Sequence, residues 1–337
     1  MPESFWNPAQ AVLNLGLAEA VRIHTAGKPV AEARRVEAQL QSASEMLGSV
    51  SDDDIGFNNA GLCQTFLPHS RPKSNADLWV RQSGRLKLIV RPGAQSSGLL
   101  GMTRDEAERE AMYVGVPWGA KARLILIYLQ SEAVRLNRRE VKLGKSMTEW
   151  LGNLGVTRGG GETAAVRDQA LRIGHCTFTL EWEGPEGGGF SNLNIVEGLS
   201  YVHEARTRKT WPEYVHLEAR FFEHLREHAV PIDKRAIEKL GGNALALDLY
   251  CLFVHRLPKL KAELRLIWKQ LNDQLGTGYA SPHSLAEKIR EVLPAVLVLY
   301  PNANLNVDRH GLILKPSPRA IPKNLVNGFR LIEGGKG

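Results

Sequence analysis

GAKARLILIYLQSEAVRLNRREVKLGKSMTEWLGNLGVTRGGGETAAVRDQALRIGHCTFTLEW, residues 119–182, decides how the whole chain is read. It opens with a helix, Ala120 to Arg138, that is apolar on most sides through Leu124-Ile125-Leu126-Ile127-Tyr128-Leu129. A helix apolar nearly all round has to be buried on several faces. A shorter amphipathic helix follows. Ser146 and Glu149 stand at capping-box spacing, and Met147, Trp150, Leu151 and Leu154 are its apolar residues. Gly155 to Gly161 is a glycine-rich turn, and a third helix is expected from about Thr163 to Gly174. Val166, Ala170 and Ile173 share one of its faces, Asp168 and Arg172 lie opposite, and Arg167 flanks. A hairpin closes the unit: Cys176 to Trp182 alternates, Gly184 to Gly189 is the loop, and Asn192 to Tyr201 returns.

The same order recurs further on. Ala244 to Leu257 is again apolar nearly all round. Glu263 to Leu275 is amphipathic, with Leu264, Ile267, Trp268, Leu271 and Leu275 at helical spacing and Gly276 as terminator. The turn Thr277 to Ser281 leads to a helix over His283 to Tyr300, bent at Pro294. A short hairpin follows, Leu305 and Val307 against Leu312 and Leu314 around Asp308-Arg309-His310-Gly311. No sequence repeats at a fixed period, so the duplication is one of architecture. Three helices closed by a hairpin is the winged-helix arrangement. The expected fold is therefore α+β and helix-rich: tandem winged-helix domains, each a helix-turn-helix plus a β-hairpin wing. The third helix of such a unit fits a DNA major groove.

Working outward, residues 1–56 form a peripheral, partly helical segment. Ala31 to Leu47 is its helix, Gly48 its stop, and Asp52-Asp53-Asp54 a solvated acidic link. Residues 57–229 hold the first winged-helix domain with an N-terminal extension. That extension is broken by Pro68, Pro72, Pro92 and Pro117 and carries one hairpin candidate, Leu78–Arg81 with Leu86–Val90 around Ser83-Gly84. Residues 230–320 hold the second domain, and 321–337 are a basic flexible tail. The 337-residue length suits two domains, and a hydrophobic content of 43% argues against wholesale disorder. Cys63, Cys176 and Cys251 are far apart, odd in number and without a CxxC pair, which argues against a disulfide scaffold or cysteine zinc finger. Residues 1–8 carry no signal-peptide pattern, and no apolar run is long enough to span a bilayer. A cytoplasmic protein is expected.

The formal net charge is +7 with a pI near 9.3, a moderate bias toward polyanions that many enzymes share. Its distribution is more telling. From Gly119 to Cys176 ten basic residues (Lys121, Arg123, Arg135, Arg138, Arg139, Lys142, Lys145, Arg158, Arg167, Arg172) face five acids (Glu132, Glu140, Glu149, Glu162, Asp168). The groove-facing candidates are Thr163, Arg167, Gln169 and Arg172, with Arg158 near phosphate in the preceding turn. Arginine reads guanine and glutamine reads adenine by paired hydrogen bonds, although phosphate contacts are commoner than base contacts. The competing reading is a plain solvated helix face. The second reader would be His283 to Val292, with His283, Lys288 and Arg290, helped by Arg309 and Lys315 in the wing. An ordinary amphipathic helix competes more strongly there.

Enzyme signatures fail. Gly144-Lys145-Ser146 resembles the end of a P-loop, but Arg139 stands where its first glycine belongs. His224 and His228 lack a full HExxH pattern, and no His-x-His pair accompanies a candidate tyrosine. No paired-carboxylate motif for two metals is present. A non-enzymatic protein without cofactor or metal is expected, against the alternative of a primase or nuclease.

Several strings resemble the RepA family of plasmid replication initiators: GLCQTFLPHSRPK at 61–73, GVPWGAKARLILIYLQSEAVRLNRREVKLGKSMTEWLGNLG at 115–155, RDQALRIGHCTFTL at 167–180, ALALDLYCLFVHRL at 244–257, WKQLNDQLGTGYA at 268–280 and NVDRHGLILKPSP at 306–318. The 115–155 stretch is long and specific, and the others fall in the expected order. The resemblance implies an initiator that binds repeated double-stranded DNA sites (iterons) at a plasmid origin. It further implies opening of adjacent AT-rich DNA, recruitment of host initiator and helicase, and copy control that includes repression of its own promoter, often as a homodimer. The family's helix after the GYA turn is richer in arginine than HSLAEKIREV at 283–292, which weakens the case for base contacts there. A winged-helix transcriptional repressor with no initiation role is the alternative.

Overall fold

The computed structural model describes residues 6–94, 112–185, 187–203, 210–275, 279 and 281–326. It is a mixed helix-and-sheet protein whose described residues fall into two compact units. A terminal unit holds the described parts of Met1–Ile55, Pro231–Asn272 and Tyr279–Val326, and a central unit those of Gly56–Val230 and Asp273–Gly278. The chain passes between them within β1 (Ile55–Asn59), within β9 (Ala229–Asp233) and on either side of Asp273–Gly278.

The central unit is built on α4 (Gly119–Leu136), whose run from Ala122 to Ile127 is buried throughout. Asn137 ends it in the left-handed conformation, φ 50°, and its N–H returns to the carbonyls of Ala133 and Val134. Three buried polar residues of α4 anchor the chain before it. Arg123 donates to the carbonyls of Pro68 at 3.1 Å and Leu67 at 2.8 Å. Gln130 accepts from the N–H of Asn59 at 2.8 Å, and the Ser131 hydroxyl from that of Phe57 at 2.8 Å. These bonds occupy backbone groups that a loop would otherwise leave unpaired in the interior.

After α4 come β4 (Glu140–Lys142), α5 (Met147–Asn153) and α6 (Gly160–His175). Next are β5 (Thr177–Gly184), β6 (Gly187–Asn194), β7 (Val196–His203), β8 (Thr210–Leu217) and α7 (Ala219–His228). The hairpin expected at Cys176–Tyr201 is corrected. β5 and β6 pair with each other, but they extend the earlier hairpin β2 (Trp79–Ser83) and β3 (Leu86–Arg91) into an antiparallel sheet of order β2-β3-β5-β6. Leu88 opposite Leu180 and Val90 opposite Phe178 form its buried face. The strands that join the helices are β7 and β8. They pair with β4 in the order β4-β8-β7, with Val141 and Leu199 on either side of Val215.

In the terminal unit, α1 (Pro8–Leu15), α2 (Leu17–Thr25) and α3 (Val30–Leu47) form a helical layer. The Asn7 side chain caps α1 and Pro8 opens it. The buried stripe Val36, Leu40, Ala43 and Met46 of α3 recurs at helical spacing. Both α1 and α3 pack against α11 (Pro282–Leu299). Asp233 caps α8 (Lys234–Leu240) and pairs with Arg235 at 2.8 Å. α9 (Ala244–Arg256) is buried along twelve of its residues, Ala244 to His255.

The segment expected as one helix from Glu263 to Leu275 divides into β10 (Leu264–Ile267) and α10 (Trp268–Leu275). β10 is recruited by β12 (Gly311–Leu314), which also pairs β11 (Leu305–Val307), in the order β10-β12-β11. Gly311 is required where these backbones approach, since a Cβ there would lie 2.0 Å from the Leu266 carbonyl oxygen. α11 runs through Pro294, and Ser281 and Ser284 form its capping box. The short α12 (Lys323–Val326) covers the start of the expected tail. Residues 327–337 of that tail lie outside the described residues.

One element order therefore occurs twice. It runs α4-β4-α5-α6-β7-β8 in the central unit, with β5 and β6 inserted after α6, and α9-β10-α10-α11-β11-β12 in the terminal unit, to which α10 contributes Trp268–Asn272. In both, the strand between the first two helices pairs with the last strand of the hairpin, never with the middle one.

Candidate nucleic-acid interface

Packing against the rest of the central unit decides which face of α6 meets solvent. Val166, Gln169, Arg172 and Ile173 are buried, at spacings of three, three and one. The opposite stripe, Ala164, Arg167, Leu171 and His175, is exposed. Gly159 precedes the helix without a capping side chain. Thr163 is half-buried, and its hydroxyl donates to the Gly159 carbonyl at 2.9 Å, closing the first turn. Glu162 reaches Lys121 of α4 at 2.5 Å.

The expectation that Gln169 and Arg172 face a groove is corrected. Gln169 is 2% exposed, accepts from the Trp118 N–H at 2.7 Å and donates to Asp168 at 2.8 Å. Arg172 is 4% exposed, and its Nε donates to Asp168 at 2.9 Å while Nη1 donates to the Val116 carbonyl at 3.3 Å. Gly115 makes room for that guanidinium: its φ is +77°, and a Cβ there would sit 2.2 Å from Arg172 Nη1. A side chain so committed cannot reach a base edge without breaking buried hydrogen bonds. Arg158 and Arg167 differ. Both are exposed, and neither has an ion pair or hydrogen bond among the described residues.

In the terminal unit the five candidates are exposed or half-buried, but each already has a partner. His283 lies 3.3 Å from Glu287, and Lys288 lies 2.6 Å from Glu291. Arg290 is half-buried, donates to the Asp308 carbonyl at 3.2 Å and stacks 4.9 Å above the Trp268 ring. Arg309 donates to His310 at 2.9 Å, and Lys315 lies 3.9 Å from Glu263. Trp268 ties α10 to the hairpin, with Nε1 donating to the Arg309 carbonyl at 3.0 Å. Asp308 holds the turn by accepting from the N–H groups of His310 at 2.7 Å and Gly311 at 3.0 Å. It also pairs with Arg265, whose guanidinium keeps its carboxyl below the usual range.

The candidates thus form two separate groups. Arg167 stands on the exposed stripe of α6, half-buried Thr163 lies in its first turn and exposed Arg158 precedes it, while the five candidates of the terminal unit lie on α11 and on or beside the β11–β12 hairpin. Charge counting passes over Leu171 and His175 on the exposed α6 stripe. Leu171 stands four residues from Arg167 and His175 four from Leu171, and that spacing is the signal that assigns them there. The described residues hold no cluster of three His, Cys, Asp or Glu able to bind a metal, and none of their helices is long and apolar enough to cross a membrane.

Residues 116–269, a little under half of the chain, match the family model described as plasmid encoded RepA protein. That segment takes in α4 to α9 with the sheet β4-β8-β7. The matched segment overlaps the strings at 115–155, 167–180 and 244–257. No curated protein matches the sequence. Two solved structures are similar. A crystal structure of domains 2 and 3 of RctB, in selenomethionine form, has 15% identity and a TM-score of 0.46, covering 80% of this chain and 99% of that one. A second crystal structure of RctB domains 2–3 has 15% identity and a TM-score of 0.44, covering 75% and 94%.

Proposed function

We infer, from a RepA match over residues 116–269, that the chain is a non-enzymatic plasmid replication initiator that binds repeated sites in double-stranded origin DNA. The family match carries this reading. The geometry adds a means: each unit is read as a winged-helix domain, with α6 or α11 as the helix offered to the major groove. The hairpins β7–β8 and β11–β12 are then the wings. Arg158 and Arg167 suit phosphate neutralisation because no acid of the described residues holds them. Thr163 and His175 extend the same face.

The second unit is read as the weaker partner, since each of its candidate side chains must give up an existing contact before meeting DNA. The proposed sequence of events is site binding, opening of adjacent AT-rich DNA and recruitment of host initiator and helicase in the cytoplasm. A dimeric form would repress the chain's own promoter.

Footprinting on DNA flanking the coding region tests the reading. Regular protected repeats, spaced by about one or two helical turns, are expected. A single palindromic site that is silenced without supporting plasmid maintenance would establish the repressor instead. Metal-dependent strand cleavage or primer synthesis by the purified protein would overturn the non-enzymatic reading.

A further inference from the structure

A cavity of about 600 Å³ opens in the central unit between α6 and β7, within the size range of small-molecule sites. Leu129 of α4, Trp150 of α5 and Val215 of β8 contribute its apolar lining. Leu171 on α6 and Leu199 on β7 also line it, and both remain exposed, at 40% and 45%. Each wall carries a glycine, Gly174 on α6 and Gly198 on β7, and a Cβ on either would meet nothing within 4 Å.

Three ionisable side chains line it. Glu197 is neutralised by Arg139 at 2.8 Å, and His175 Nδ1 is engaged with the Leu171 carbonyl at 2.9 Å. Arg167 has no ion pair or hydrogen bond among the described residues. The cavity thus combines an apolar interior with one uncompensated cation.

We propose that this cavity is a binding site for an amphipathic anion, with an aliphatic body against Leu129, Trp150 and Leu171 and a carboxylate head on Arg167. The site rests on the cavity and its charge. Only its consequence rests on the DNA reading: a ligand holding Arg167 would compete with a DNA phosphate, giving the initiator a metabolite-sensitive affinity.

Calorimetric titration of the full-length protein with decanoate and with decanol, in the absence of DNA, tests the site. Decanoate should bind saturably at one per chain, and decanol about tenfold more weakly, the loss of one charge-assisted contact. Arg167→Gln should bring the acid down to the level of the alcohol. Gly198→Phe should abolish binding of both, and Gly174→Leu serves in its place if circular dichroism shows that the first variant is unfolded. No saturable binding, equal affinity for acid and alcohol, or undiminished binding by a folded cavity-filled variant each overturns the proposal. Because DNA is absent from the titration, a negative result leaves the initiator reading standing, and a failed footprint leaves the cavity site standing.

Discussion

Arg167→Ala and Arg172→Ala delete the same side chain at two positions on α6, and the structure assigns them opposite consequences. Arg172 is 4% exposed, so its deletion removes a packed stem and leaves the Val116 carbonyl without its donor. Its ionic partner, Asp168, has a side chain 42% exposed and can be solvated, so the ion-pair share is small. The remaining loss, cavity plus unsatisfied carbonyl, is about 2–4 kcal/mol. For a unit of this size that lowers the melting temperature by roughly 5–15 °C. Arg167 is exposed and has no partner among the described residues, so Arg167→Ala should leave the melt within about 0.5 kcal/mol of wild type. It should instead lower the slope of log affinity against log salt by about one, the release of one phosphate contact. Thermal and urea melts, read beside fluorescence anisotropy on origin DNA at several salt concentrations, separate the two. An Arg172→Ala protein that melts like wild type yet loses one unit of salt slope would refute the assignment of that side chain to the interior.

Three further outcomes are expected. Gly115→Ala should cost about 3 kcal/mol, from a side chain at φ +77° and a Cβ 2.2 Å from Arg172 Nη1, and should be less than additive with Arg172→Ala in urea melts. Burial, then the charge of neighbouring His228, pushes His224 down to about 4; burial, then Lys259 and Arg256, pushes His255 down to about 3. The unfolded chain takes up these protons near pH 6.5 while the folded chain refuses them. Stability should therefore be full above about pH 6.5 and fall as pH drops toward 4, by at most about 1.4 kcal/mol per pH unit for each histidine. Melts at pH 7 and 5 should show this loss, and a His224→Gln/His255→Gln variant should flatten it. Trp268→Ala should destabilise the terminal unit by roughly 2 kcal/mol and speed amide exchange at Asp308–Gly311, because the indole anchors the Arg309 carbonyl.

What was legible in the sequence was mostly local. The apolar run 124–129 demands a buried helix whatever surrounds it, and α4 is that helix. The β11–β12 hairpin follows from alternation around a turn rich in Asp and Gly. β4 is three residues long, too short to leave a period, and exists because β8, some seventy residues later, pairs with it. β10 satisfies both a helical and a strand pattern over Leu264–Ile267, and pairing with β12 decides between them. The β5–β6 hairpin was recognisable, but its sheet was not, since β3 lies ninety residues earlier. For Gln169 and Arg172 polarity misled. Gln169 stands three residues from Val166 and Arg172 one from Ile173, so both border the buried stripe, and Gly115 and Trp118 supply the room and the donor that keep them there.

The terminal unit draws residues from both ends of the chain, and this has a consequence in time. The ribosome delivers α1 to α3 first, yet α11, against which α1 and α3 pack, emerges some two hundred and fifty residues later. At 5–20 residues per second the side of α3 that meets α11 waits roughly 10–50 s for its cover. Most of the central unit has been made by then, so a nascent chain stalled near residue 260 would leave that side of α3 uncovered and present it to chaperones.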